Sequence, residues 1–187
     1  MTSSRLIPTA SQTVGPYFRI GLEYLASQEP SNNSAPDSIE LRGKVLDRDG
    51  TPVSDAMLEF WGADAMGSYS GVTPNSSDHP VGFHRVATDD DGNFILTLIK
   101  PGSSALGDGR LQAPHMLVLV FARGLLRHLI TRVYFGNEPA NAEDIVLLEI
   151  PAERRHTLVA RSNANNPRTF QWNVILQGEN ETVFFAW

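Results

Sequence analysis

The chain has 187 residues, 41% of them apolar and 19% charged, with a formal net charge of −6 and no cysteine. That length supports one domain burying roughly 70% of the surface its unfolded chain would expose, so no disulfide or structural metal is required. The lack of cysteine excludes disulfides, thiolate metal sites and thiol nucleophiles, and a net charge of −6 argues against a nucleic-acid footprint, which usually needs a basic face.

Residues 1–38 read as an N-terminal arm and linker. Met1 to Gln12 is polar with Arg5 as its charge, and it lacks a basic start followed by an apolar stretch, so no signal peptide is expected. No apolar run reaches the length of a membrane span, and a cytoplasmic protein is the default expectation. Ile7, Val14, Tyr17, Phe18, Ile20 and Leu22 follow no clean period, which predicts an arm that packs across a partner chain. Ser27 to Ser38 (SQEPSNNSAPDS) has little to bury and reads as a surface linker.

Residues 39–187 carry the pattern of a β-sandwich. Ile39, Leu41 and Val45 alternate with Glu40, Arg42 and Lys44, Phe94, Leu96 and Leu98 fall on one face of the next strand, and Phe170, Trp172, Val174 and Leu176 recur with the same period beside Gln171, Asn173 and Gln177. A period of two is the strand signature, because successive side chains point to opposite faces. Asp49-Gly50-Thr51-Pro52 and Asp90-Asp91-Gly92-Asn93 supply turn residues between strands. Met116 to Phe121 is continuously apolar and predicts a strand covered on both sides. A pair of short helices is expected between Ala142 and Ala160, the second opened by Pro151 with Glu153 in its first turn. The expected fold is therefore all-β: an antiparallel β-sandwich with an N-terminal arm and short helices near the C-terminal third.

Taken singly, the chemical residues leave several readings open. His79, His84, His115, His128 and His156 form no HxH, HxxxH or HExxH, and Asp78-His79 near His84 reads as surface loop rather than metal site. His115 begins an apolar strand, where a lone imidazole is ordinarily a structural hydrogen-bonder. Tyr69 follows a turn and reads as a rim residue. Arg132, in Thr131-Arg132-Val133-Tyr134-Phe135, either extends to solvent or pairs with an anion. No GxSxG elbow, GxGxxG or P-loop occurs.

The combination is more specific. Ser11-Gln12-Thr13-Val14-Gly15-Pro16-Tyr17, Gly43 through Trp61, Trp61-Gly62-Ala63-Asp64-Ala65, Ile99-Lys100-Pro101-Gly102, Gln112-Ala113-Pro114-His115, Phe121-Ala122-Arg123-Gly124, Arg154-Arg155, Thr157-Leu158-Val159-Ala160 and Leu176 through Phe185 occur in order across the chain. Together they resemble the alpha chains of heteromeric intradiol ring-cleaving dioxygenases. Gly62 stands where that family usually has Gln, and 71–80 and the linker are matched only loosely.

The resemblance implies paired alpha and beta chains and a ferric iron held by two tyrosines and two histidines, the histidines from an HxH in the beta chain. This sequence retains residues at two of those positions, Tyr69 and His115. Leu117 stands at the second histidine position, and Ser103 and Ser104 stand where a tyrosine is expected after Pro101-Gly102. The implied cofactor is therefore Fe(III) bound by the partner beta chain, with Tyr69 and His115 vestigial here. The resemblance further implies that Thr13, Gly15, Pro16, Tyr17 and Arg132 border the pocket over the partner's iron. The implied substrates are protocatechuate and O2, and the implied product is 3-carboxy-cis,cis-muconate. The alternatives are a homomeric intradiol enzyme on another catechol, which would need all its ligands from one chain, and a non-catalytic β-sandwich binding module.

Overall fold

The computed structural model describes residues 9–22, 38–69, 82–107 and 109–186. In chain order these form α1 (Pro16–Leu22), β1 (Ser38–Leu46), β2 (Met57–Gly62), β3 (Phe83–Ala87), β4 (Asn93–Ile99), β5 (Ser104–Ala105), β6 (Leu111–Gln112), β7 (His115–Phe121) and β8 (Leu129–Phe135). A 3-10 turn at Pro139–Ala142, α2 (Ile145–Glu149) and a 3-10 turn at Arg155–Leu158 follow, and then β9 (Val159–Asn163), β10 (Asn166–Gln171) and β11 (Val174–Ile175). The linker before Ser38 lies outside the described residues.

The fold is all-β, and the period-two runs become its inner faces. β1 buries Ile39, Leu41 and Val45, and β4 pairs with it antiparallel and buries Phe94, Leu96 and Leu98. The strands run β4-β1-β10-β9-β8-β7-β2-β3, with β11 also along β1. The β3–β4 turn joins the two ends of this order. Asp89 accepts hydrogen bonds there from the amides of Asp91 and Asn93, and Gly92 sits at φ 71°. Leu58, Phe60, Val118, Val120, Val133 and Phe135 face Leu41, Val45, Phe94 and Phe170 across one continuous core. Gly43 is required by this packing, since a Cβ there would lie 1.7 Å from the Trp172 carbonyl oxygen and 2.6 Å from the Phe94 ring.

Three expectations are corrected. The sheet is mixed, because β1 pairs in parallel with β10 and with β11, and β8 with β9. Parallel neighbours need a long crossover, and the β8-to-β9 crossover is the segment that carries α2 and the 3-10 turns. Pro151 opens no helix: Ile150 is extended at φ −83°, ψ 135°, as residues before proline tend to be, and Arg154 N–H closes a turn onto the Pro151 carbonyl at 2.8 Å. Strand β7 is covered fully on one face only. Met116, Val118 and Val120 are buried, whereas Leu117, Leu119 and Phe121 are half-buried on the outer face.

Burial of His84 predicts a loss of stability in acid. His84 lies opposite Phe60 in the β2–β3 pair, and burial lowers its pKa to about 4. An unfolded histidine titrates near 6.5. Between those values the unfolded chain holds the extra proton, so stability falls as pH drops from about 6.5 to about 4 and this contribution is flat below. At about 1.4 kcal/mol per unit, the loss reaches up to about 3 kcal/mol. Urea midpoints at pH 7 and pH 4.5 should therefore converge in His84→Gln relative to the parent. An unchanged difference between the two pH values would contradict the assignment.

Candidate functional site

Two regions carry the residues singled out in the sequence. The first is the arm. Gly15 leads into α1, whose first turn closes with Phe18 N–H on the Gly15 carbonyl at 3.0 Å, and Pro16 takes the first helical position, where its missing N–H costs nothing. The arm is anchored to its own chain. Thr13 Oγ1 accepts a hydrogen bond from Gly124 N–H at 2.8 Å, Phe18 lies 5.1 Å from the Phe121 ring, and Arg19 Nη1 donates to the Ser54 carbonyl at 3.0 Å. Phe18 thus faces inward. Tyr17 and Ile20 face outward and are 81% and 59% exposed. Nothing in the described chain lies within 4 Å of where a Gly15 Cβ would be, so this chain's own packing does not demand glycine there. Beside the arm lies an open cleft of about 550 Å³, lined by Val14, Phe121, Leu126, His128, Ile130 and Phe185 among others.

The second region is the outer face of β2, β7 and β8. The register sets Trp61 opposite Leu117, Leu117 opposite Arg132, and His115 opposite Tyr134. Trp61 is 39% exposed on this face. His115 is buried. Its Nδ1 lies 2.7 Å from the Ala113 carbonyl oxygen, which can only accept, so Nδ1 carries the proton and Nε2 the lone pair. Burial and then the nearby Arg132 charge hold the imidazole pKa below its ordinary value, favouring the neutral ring.

Arg132 is tied into a buried network that sequence reasoning missed. Its Nη1 donates to the Tyr134 hydroxyl at 3.3 Å, and that hydroxyl donates to Asp144 Oδ1 at 3.1 Å. Burial pushes the Tyr134 phenol far above its usual range, so it remains a neutral donor. Asp144 is buried and also accepts from Val146 N–H at 3.0 Å and Leu147 N–H at 2.9 Å, capping α2, and from Ala113 N–H at 2.8 Å. Asp144 before Ile-Val-Leu-Leu is a readable helix-cap signal, and Tyr134 shares a strand face with Arg132 because they are two residues apart. The ion pairs found among the described residues are Arg42–Glu40, Arg85–Glu59, Lys100–Glu138 and Arg123–Asp55, and Arg132 is in none of them.

The residues present on this face do not fit a ferric ion. Leu117 offers no donor. Tyr69 is 57% exposed, on a loop that Asp64 Oδ1 holds through the amides of Met66 and Ser68. Ser104 is buried with a hydroxyl that has no hydrogen-bond partner, and a neutral hydroxyl is a poor substitute for a phenolate. Arg132 adds a positive charge beside His115, which opposes a trivalent cation. Among the described residues no group of His, Cys, Asp and Glu is arranged to hold a metal.

The arm residues and Arg132 lie at two levels along β7 and β8. Thr13, Gly15 and Tyr17 sit at the β7–β8 turn. Arg132 is level with Leu117, four residues from Phe121 along the strand, or about 13 Å at 3.3 Å per residue.

Comparisons with known proteins bear on this arrangement. The profile of the family described as "Dioxygenase" matches residues 15–178. A protocatechuate 3,4-dioxygenase alpha chain of Burkholderia cepacia is 44% identical over 95% of this chain and 96% of its own, and one of Pseudomonas putida is 40% identical over 96% and 97%. A protocatechuate 3,4-dioxygenase beta chain of Burkholderia cepacia is 26% identical over 86% of this chain and 74% of its own. Among solved structures, the dioxygenase domain of a carbohydrate-binding fusion protein from Streptomyces sp. SirexAA-E aligns with a TM-score of 0.63 at 24% identity, covering 96% of each chain, and shares the fold. The chain belongs to the dioxygenase family, among its protocatechuate 3,4-dioxygenase alpha chains.

Proposed function

We propose that this chain is the non-iron-binding alpha subunit of a heteromeric protocatechuate 3,4-dioxygenase. In this reading a beta chain carrying an HxH holds Fe(III), which supplies the activation of the catechol ring toward O2. The complex cleaves protocatechuate between its hydroxylated carbons to give 3-carboxy-cis,cis-muconate. The observation that carries the reading is the pairing of end-to-end similarity to alpha chains with a face whose donors do not suit iron.

The chain's part is to shape the pocket. Tyr17 projects from a helix anchored by Phe18, and so offers an aromatic face and a hydroxyl to a neighbour without further ordering. The open space at Gly15 admits the close approach of a partner or a flat ligand. Thr13 holds this loop in place, Pro16 stiffens it, and Arg132 supplies two parallel donors to the ring carboxylate. Among the described residues no helix is long and apolar enough to cross a membrane, in keeping with a cytoplasmic catabolic enzyme as part of this proposal.

Assembly tests the reading. Co-expressed with a beta chain bearing the HxH, the chain should copurify with it and elute as one species on gel filtration. Tyr17→Ala and Ile20→Ser should weaken that association while leaving the lone chain's unfolding midpoint unchanged, because both side chains are exposed. A chain that ignores every such partner would favour the binding-module alternative.

A further inference from the structure

We infer that Tyr134, backed by Asp144, is a positioning residue that aims the Arg132 guanidinium at the carboxylate of the substrate. The inference rests on the proposed role of Arg132.

An arginine on a strand face has four flexible torsions and ordinarily loses much of that freedom when it meets an anion. Here one guanidinium nitrogen is already engaged. Arg132 Nη1 donates to the Tyr134 hydroxyl at 3.3 Å, and the hydroxyl is oriented in turn because its own proton goes to Asp144 Oδ1 at 3.1 Å. The direction of this chain is fixed at both ends: arginine can only donate, and a carboxylate can only accept. Asp144 is itself immobilised by the amides of Ala113, Val146 and Leu147. The relay therefore runs from rigid backbone through two buried side chains to a half-buried cation. It holds the cation through one nitrogen without neutralising it by a direct ion pair, and the remaining donors can meet a carboxylate.

The network also explains a division of labour on the strand. Thr131, Val133 and Phe135 point into the core and fix β8, while Arg132 and Tyr134 share the opposite face.

The test is Tyr134→Phe in the assembled complex with the beta chain, compared with Arg132→Ala and the double variant, using protocatechuate and plain catechol. Phenylalanine keeps the ring packing and removes only the hydroxyl. The expected result is a loss of about three- to tenfold in kcat/KM for protocatechuate, mostly in KM, with catechol little changed and no further loss when Tyr134→Phe is added to Arg132→Ala. Should Tyr134→Phe fail to assemble, Asp144→Asn, which keeps a cap acceptor and removes the charge, is read by the same substrate comparison. Equal losses on both substrates, or additive losses in the double variant, overturn the inference by making Tyr134 structural. A selective loss in Arg132→Ala with none in Tyr134→Phe overturns the inference and leaves the role of Arg132 standing. Absence of a selective loss in Arg132→Ala overturns both.

Discussion

Replacing Arg132 by alanine should lower kcat/KM for protocatechuate by about tenfold to hundredfold and affect plain catechol much less. A charge-assisted hydrogen bond is worth roughly 1.5–3 kcal/mol, and each 1.4 kcal/mol is a factor of ten. Arg132 is half-buried on the outer face of β8, tethered to a neutral phenol, and outside the ion pairs found among the described residues. Such a cation is poised for an incoming anion, whereas one already neutralised by a carboxylate would contribute little new. The substrate pair is the control, because catechol has the diol and lacks the ring carboxylate. Steady-state kinetics of the assembled complex on both substrates decide the matter, and an equal loss on both makes Arg132 structural.

The second large effect is on stability. Asp144→Ala should destabilise the chain by at least about 3 kcal/mol. The loss of an N-cap alone costs about 1 kcal/mol. The substitution also leaves the buried Tyr134 hydroxyl and the Ala113 amide without acceptors, each costing on the order of 1–3 kcal/mol. Asp89 makes a formally similar set of bonds at the β3–β4 turn, but in solvent, where water replaces any acceptor that is removed. Urea unfolding of the two alanine variants side by side should show a large shift of the midpoint for Asp144 and a small one for Asp89. Equal shifts would mean that the Asp144 network contributes no more than a surface turn.

Much of this architecture is written locally in the chain. The alternation of Ile39, Leu41 and Val45, and of Phe94, Leu96 and Leu98, specifies which face is buried, because a strand exposes every second residue to the same side. What the alternation does not encode is direction. Whether β1 lies parallel or antiparallel to β10 depends on a crossover far away in sequence, and so the parallel pairs escaped a local reading. The same holds for the site. Leu117 in place of an imidazole donor is visible in the sequence alone. The convergence of Asp144 on Ala113 and Tyr134 is not, since those residues come from a helix cap, a strand entry and a different strand that only the tertiary fold brings together. The inward packing of Phe18 was concealed for a simpler reason: a helix of seven residues is too short to show a period.

The central claim is that this chain serves an iron it does not hold. Metal analysis together with a visible spectrum, on the purified chain alone and on its complex with an HxH-bearing beta chain, tests that claim most directly. The lone chain should be colourless, free of stoichiometric iron and inactive on protocatechuate. The complex should carry one ferric ion per alpha–beta pair, show a tyrosinate-to-iron absorption band and cleave the ring, with the iron content and the band unchanged by His115→Ala in this chain. Stoichiometric ferric iron and ring cleavage by the lone chain would contradict the account and favour a homomeric enzyme.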